Sequence, residues 1–144
     1  MSTAEGDESI MDNHITRVPL EIDAITATAE GGQDASVMML NLNRYTVAAG
    51  YPNGDEYQTY MAQLEDSVGR VGGKVLWRTP VAGQPVGCEH DGVDEILAVW
   101  YPSHASFLQL REEPGSAEMY RLRQVCVANA VIHRCPCDRF LLQP

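Results

Sequence analysis

Every residue from Ile96 to Tyr101 is apolar, and this run constrains the fold more strongly than any other feature of the sequence. Because side chains on a strand alternate between the two faces of a sheet, a strand with this run is apolar on both faces. One face requires a layer of helices, and the other requires a different cover. A chain of 144 residues is long enough for one well-buried core and too short for two ordinary domains. We therefore expect a second copy of the chain to cover the free face.

The remaining hydrophobic patterns place helices and strands around this run. Apolar residues at helical spacing predict a short helix after Pro19, a long helix over residues 55 to 71, and two short helices in series after Pro102. Apolar runs bounded by glycine and proline predict the strands. The predicted strands are 37–45, 74–79, 95–101 and a last one within 128–134, ended by Pro136.

The resulting order, β-α-β-β-α-β, predicts a ferredoxin-like α+β domain with its helices on one face of the sheet. Two such sheets that pack face to face form a dimeric α/β barrel, so the sequence predicts a homodimer. We expect the domain to span residues 19–137. A flexible acidic tail is expected at 1–18, and a C-terminal tail at 138–144.

The charge of the chain argues against partners that present phosphates. The formal net charge is −10, Lys74 is the only lysine and the arginines are scattered, so we expect no binding to nucleic acid or to anionic membranes. The start lacks the basic and apolar regions of a signal peptide, which predicts a cytoplasmic protein. In that compartment Cys88, Cys126, Cys135 and Cys137 are expected to be free thiols.

Three segments of the chain resemble an uncharacterised family known as domain of unknown function thirteen-thirty. They are VMMLNLNRY, GGKVLW and DEILAVWYPSHASFLQLREEPGSAEMYRLR, and the resemblance covers residues 20 to 134. It is most specific around Tyr101-Pro102-Ser103, Phe107 and Pro114. This family belongs to the dimeric α/β-barrel superfamily, so the resemblance implies a ferredoxin-like homodimer.

The resemblance does not imply one reaction. Relatives in the superfamily include cofactor-independent monooxygenases, polyketide cyclases, muconolactone isomerases, haem-degrading enzymes and stress-response proteins, and a shared fold does not select among them. In several of these relatives the substrate lies between the sheet and the helices of each subunit. We therefore expect a ligand site in that position here.

Asn41 and His133 are the candidate catalytic residues. Members of the family resemble this chain in carrying asparagine at the position of Asn41. An amide in a central strand needs a partner, so Asn41 either hydrogen-bonds a substrate carbonyl or enolate, or satisfies a backbone group. The last strand pairs with the first in this fold, which brings either His133 or Arg134 to the face of Asn41. His133 is the candidate acid or base, and the alternative is an exposed histidine.

Six further residues are candidates for substrate binding. Asn43 alternates with Asn41 on the first strand, aromatic residues near the sheet-helix layer suit a ring-shaped substrate, and an arginine suits a carboxylate. Core packing explains the aromatic residues equally well, and an intramolecular ion pair explains the arginine. The candidates are Asn43, Tyr45, Tyr57, Tyr60, Trp77 and Arg123.

We expect no tightly bound cofactor and no metal. The sequence contains no Walker or Rossmann phosphate loop. Cys88-Glu89-His90 and Cys135-Pro136-Cys137 carry zinc-type ligands, but one-residue spacing between thiols is unusual in structural zinc sites. Haem is harder to exclude, because one histidine suffices as its axial ligand. His104 follows the predicted N-cap Ser103 and is expected at the surface.

Two functions fit these observations. The first is a cofactor-independent enzyme of cyclase, isomerase or monooxygenase type that acts on a small aromatic or polyketide-like molecule. The second is a non-catalytic dimeric module that binds a metabolite or a protein. A closed cleft with convergent polar groups favours an enzyme or a ligand-binding protein, whereas a cleft filled by apolar side chains favours a structural module.

Overall fold

The computed structural model describes residues 17–137, and it contains all the predicted strands. Residues 1–16 of the tail predicted at 1–18, and all of the tail predicted at 138–144, lie outside the described residues. The elements are α1 (Pro19–Glu30), β1 (Val37–Tyr45), α2 (Asp55–Arg70), β2 (Lys74–Pro80), β3 (Glu95–Tyr101), α3 (His104–Glu112), α4 (Ala117–Cys126) and β4 (Val127–Pro136). No helix of the described chain is long and apolar enough to cross a membrane.

The strands form one antiparallel sheet in the order β2-β3-β1-β4. β1 is central, and its Leu40 lies opposite Ala98 of β3 and His133 of β4. This order, with helices between β1 and β2 and between β3 and β4, is that of a ferredoxin-like fold. The predicted fold class is therefore confirmed.

The helices pack on one face of the sheet, which we call the inner face. On β1 this face carries Val37, Met39, Asn41 and Asn43. The long helix α2 meets it because its apolar residues recur at helical spacing and form one stripe. Burying each large apolar side chain stabilises the fold by roughly 1.5–3 kcal/mol. The core includes Ile25, Val37, Met39, Tyr60, Leu64, Val68, Leu97, Val99, Tyr101, Leu110, Met119 and Leu122.

The opposite side of the sheet, which we call the outer face, carries a second apolar set. Met38 and Ala98 are buried there, and Leu40, Leu76 and Trp100 pack against them. All four helices contribute to the inner core, on the side of the sheet opposite to this second set.

The sheet departs from regular geometry in β2 and at the junction of β1 with β4. A register shift lies between Val75 and Trp77 of β2, and another between Arg44 and Tyr45 of β1. β4 runs to Pro136 opposite Val37, two residues past its predicted end. An edge strand tolerates proline because one side of its backbone has no partner strand.

Candidate functional site

A cavity of about 550 Å³ lies between the inner face of the sheet and the helices. Its volume falls within the range of roughly 300–1,000 Å³ that is typical of small-molecule sites. Apolar and aromatic residues form most of the wall. The polar and aromatic residues of the wall are Arg17, Glu21, Asn41, Tyr60, Tyr101, Phe107, Arg111, Tyr120, Arg123, Gln124 and Arg134.

Asn41 lies in the sheet wall of this cavity, between Leu97 of β3 and Ile132 of β4. Strand alternation predicts this orientation, since Asn41 shares a face with the buried Met39. The Oδ1 atom of Asn41 is enclosed and has no hydrogen-bond partner among residues 17–137. A buried acceptor without a donor costs roughly 1–3 kcal/mol. Asn41 therefore carries an unused acceptor in the sheet wall of the cavity.

Aromatic side chains from the sheet and the helices line the same cavity. Tyr101 of β3 meets Phe107 of α3 edge-to-face, with ring centroids 5.3 Å apart. Burial raises the pKa of Tyr60 to about 12. Burial also raises the pKa of Tyr101 above its ordinary value. Both hydroxyls therefore stay protonated at neutral pH, and the wall presents ring surfaces without adding negative charge.

Arg134 of β4 is held in the cavity wall by a chain of polar contacts. Its Nε donates to Oε2 of Glu21 on α1. Its Nη1 lies 3.5 Å from Nε2 of His104, and Nδ1 of His104 lies 3.0 Å from Oδ1 of Asp34. Since a guanidinium only donates, Nε2 accepts and Nδ1 carries the proton that Asp34 accepts. We call Asp34, His104, Arg134 and Glu21 the Arg134 array.

Local contacts fix the charges of the Arg134 array. The hydrogen bond from Arg134 lowers the pKa of Glu21. Burial opposes ionisation of Asp34, but the backbone N–H groups of His104 and Ala105 and the His104 side chain together outweigh it and lower the pKa of Asp34. The prediction of a surface His104 is wrong, because this residue is 5% exposed. Its ring turns inward to Asp34, which is 70 residues away in the sequence.

A second polar cluster surrounds Glu95, the first residue of β3, whose side chain is buried. Oε1 of Glu95 accepts from the Tyr45 hydroxyl at 2.5 Å, and Oε2 accepts from the Tyr57 hydroxyl at 2.7 Å. Arg78 of β2 donates to the Tyr57 oxygen at 2.8 Å. Asn43 donates from Nδ2 to the Tyr45 oxygen at 3.3 Å. We call these five residues the Glu95 cluster.

The Glu95 cluster links β1, α2, β2 and β3. Burial raises the pKa values of Tyr45 and Tyr57, and the nearby Glu95 carboxylate raises them further. Both hydroxyls therefore remain donors, and both carboxylate oxygens are satisfied. A recess of about 200 Å³ beside the cluster is lined in part by Tyr45, Tyr51 and Asp94. We interpret the Glu95 cluster as structural, because its members donate to and accept from one another.

The residues predicted from the sequence are thus divided among three places. The cavity wall contains Asn41, Tyr60 and Arg123. The Glu95 cluster contains Asn43, Tyr45 and Tyr57. His133 and Trp77 belong to the outer face.

The predicted pairing of Asn41 with His133 is not formed. His133 lies opposite Leu40, whose side chain is on the outer face, and it is exposed. Arg134 lies opposite Met39 and takes the place beside the cavity. Because neighbouring residues of a strand point to opposite faces, a difference of one position in register decides which of the two reaches Asn41.

The predicted place of Trp77 beside the tyrosines is also wrong. In a regular strand Val75 and Trp77 would share a face. The register shift in β2 instead puts Val75 opposite Val99 and Trp77 opposite Ala98. Trp77 therefore joins the outer face, where it is 48% exposed.

Sequence reasoning missed the Arg134 array, Glu95 and two arginines of the cavity wall, Arg17 and Arg111. Glu95 carries a weak signal, since it is an acid at the start of an otherwise apolar strand. The partners in the Arg134 array come from distant parts of the chain, and no local pattern in the sequence connects them.

No protein-family model matches the chain, and no curated protein matches it. Among solved structures, it is similar to that of the methylated RPA0582 protein, with 26% identity, a TM-score of 0.70 and coverage of 87% of this chain and 95% of that chain. A second RPA0582 structure is described as a protein of unknown function from Rhodopseudomonas palustris. It is 25% identical to this chain, with a TM-score of 0.70 and coverage of 90% of this chain and 98% of that chain. A dimeric ferredoxin-like protein of unknown function from Thermobifida fusca is 10% identical, with a TM-score of 0.49 and coverage of 72% of this chain and 92% of that chain. The chain therefore shares its fold over nearly the whole length of RPA0582.

Proposed function

We propose that this protein binds a small aromatic molecule in the cavity between its sheet and helices. The observation that carries the proposal is the enclosed Oδ1 atom of Asn41, which has no partner in the described chain. A ligand with a hydroxyl or amino donor would satisfy this acceptor and recover its desolvation penalty. The aromatic wall around it suits a planar ring.

Binding is favoured over acid–base catalysis by the composition of the cavity wall. Among its described residues the wall has no histidine or cysteine, and Glu21 is its one carboxylate. The hydrogen bond from Arg134 lowers the pKa of Glu21, which makes it a weak base. The second candidate is a cofactor-independent enzyme of cyclase, isomerase or monooxygenase type. The observation that favours it is the Arg134 array, in which Glu21 would accept a proton from the carbon next to a substrate carbonyl and Arg134 would stabilise the enolate that forms.

We also propose a homodimer that pairs through the outer face, and membership of the family known as domain of unknown function thirteen-thirty. The dimer is supported by the apolar outer face with its half-exposed Trp77. The membership is supported by the three segments that resemble that family. The proposed site needs no cofactor or metal. The free thiols of Cys88, Cys126 and Cys135 suit a cytoplasmic protein.

Two probes that differ by one methyl group test the hydrogen bond to Asn41. 2-Naphthol carries a hydroxyl donor, and 2-methoxynaphthalene has the same rings without the donor. Isothermal titration calorimetry on the full chain should show tighter binding of 2-naphthol. Asn41→Leu should weaken 2-naphthol binding by roughly tenfold, as expected from one net hydrogen bond of about 1–1.5 kcal/mol. Binding of 2-methoxynaphthalene should not change.

The control variant is His133→Ala, which changes an exposed residue on the outer face and should leave both affinities unchanged. Asn41→Leu removes an unpaired buried acceptor, so its thermal midpoint should stay the same or rise. A large loss of stability would instead assign Asn41 to the framework of the sheet. Failure of both probes to bind the unmodified chain would contradict the proposed function.

A further inference from the structure

We propose that the ligand of the cavity is an organic anion whose carboxylate binds Arg17 and Arg111. This inference rests on the proposed function, because it names the chemical class of the molecule that the cavity holds. It adds a charged recognition element to the aromatic wall and the Asn41 acceptor.

The described cavity wall has an excess of positive charge. Arg17, Arg111, Arg123 and Arg134 line it, against the single carboxylate of Glu21. Glu21 is already bound by Arg134, and within residues 17–137 the other three arginines form no ion pair. The whole chain has 20 acidic residues against 10 basic ones. The excess of positive charge in the cavity wall is therefore a local feature, opposite in sign to the net charge of the chain.

Arg17 and Arg111 lie close enough for each charge to influence the other. Arg17 lies two residues before the start of α1, and Arg111 lies in the last turn of α3, which packs against α1. Burial lowers the pKa of Arg17, and the charge of Arg111 lowers it further. The Arg111 guanidinium lies over the Tyr120 ring, with Cζ 5.3 Å from the centroid. An anion between the two guanidinium groups would relieve their repulsion.

The chemistry of the wall favours a carboxylate attached to a ring. A guanidinium offers paired N–H donors that match the two oxygens of a carboxylate. Most of the other residues of the wall are apolar or aromatic, so an inorganic anion would leave most of the wall without contacts. The donor that Asn41 requires can belong to the same molecule. A hydroxylated aromatic acid combines these three properties.

The test compares 6-hydroxy-2-naphthoate with its neutral methyl ester by calorimetry on the full chain. The unmodified protein should bind the acid at least tenfold more tightly than the ester. The double variant Arg17→Gln with Arg111→Gln should bind the acid about tenfold to a hundredfold more weakly, as expected from the loss of charge-assisted hydrogen bonds. Its affinity for the ester should change less than about twofold.

Arg44→Gln is the matched control, because it removes the same charge from an exposed residue outside the cavity wall. It should leave the preference for the acid unchanged. Equal affinity of the unmodified protein for acid and ester would overturn the inference. Equal weakening of both probes by the double variant would also overturn it. If the ester and 2-naphthol bind and the acid binds no more tightly, only the inference of an anionic ligand is wrong. If none of the three probes binds, the proposed function is contradicted as well.

Discussion

Among the described residues, Glu95 is the only buried carboxylate. It is tolerated because the hydroxyls of Tyr45 and Tyr57 each donate to one of its oxygens, and Arg78 lies 3.9 Å from Oε2. Removing the acceptor would leave the two hydroxyls buried without it. The cost of a mutation here should therefore exceed the net value of the hydrogen bonds themselves.

We predict that Glu95→Ala lowers the free energy of unfolding by about 3 kcal/mol, because removing one partner of a buried charged network leaves the others unpaired. Urea unfolding at neutral pH measures this change. Glu118→Ala is the control, since Glu118 forms an exposed ion pair with Arg121, and it should leave stability nearly unchanged. Similar behaviour of the two variants would argue against a structural role for Glu95.

At the scale of residues, the sequence predicts which face of the sheet a side chain points to better than it predicts the hydrogen-bond partners of that side chain. The face of Asn41 follows from alternation with the buried Met39. Its lack of a partner depends on what Leu97 and Ile132 bring beside it, and this requires the paired strands. The burial of His104 likewise depends on Asp34, which a local pattern does not connect with it.

At the scale of elements, α3 depends on a side chain from outside the helix. Its own N-cap, Ser103, accepts from the Ser106 backbone at 3.0 Å. Asp34 accepts from the backbone N–H groups of His104 and Ala105, at 2.7 Å and 3.0 Å. A carboxylate at this end also complements the positive end of the helix dipole. Asp34 thus ties the segment before β1 to the start of α3.

We predict that Asp34→Ala lowers the free energy of unfolding by about 1–2 kcal/mol at neutral pH, the usual value for loss of a helix cap. The pKa of Asp34 is lowered from its ordinary 3.8 in the folded state. Its stabilisation is therefore present above pH 3.8 and is lost as the pH falls below that value. Urea unfolding at pH 7 and at pH 3 should show the difference from the unmodified protein shrinking in acid. Ser103→Ala should show a loss that does not depend on pH, and a pH-independent loss for Asp34→Ala would contradict the prediction.

The elements themselves could be predicted because each carries its own periodicity, as the stripe of α2 and the apolar run of β3 do. The face of the sheet to which each side chain of β2 and β4 points could not be predicted in this way. The register shift between Val75 and Trp77 moves Trp77 to the outer face, and the pairing of β4 with β1 sends His133 there. Register depends on two strands together, so the pattern within one strand does not determine it.

At the scale of the whole molecule, the outer face is the side of the sheet that lies away from the four helices. Met38, Leu76 and Trp100 place apolar side chains on the side of the sheet away from the helices. Trp77 remains 48% exposed beside them. Contiguous apolar surface of this kind marks a site of association. A second sheet is the cover that the run from Ile96 to Tyr101 predicts.

We predict that the full chain is a dimer and that Leu40→Glu converts it to a monomer. Leu40 lies at the centre of the outer face, between Ala98 and His133, so a carboxylate there would be buried without a partner in the dimer and would reach water in the monomer. Light scattering at micromolar concentration should give twice the 15.9 kDa of one chain before the change and a single chain after it. Val47→Glu is the control, because Val47 is 99% exposed on the short turn after β1 and should leave the mass unchanged. A mass of one chain for the unmodified protein would refute the dimer, and a dimer that persists in Leu40→Glu would place its interface elsewhere on the surface.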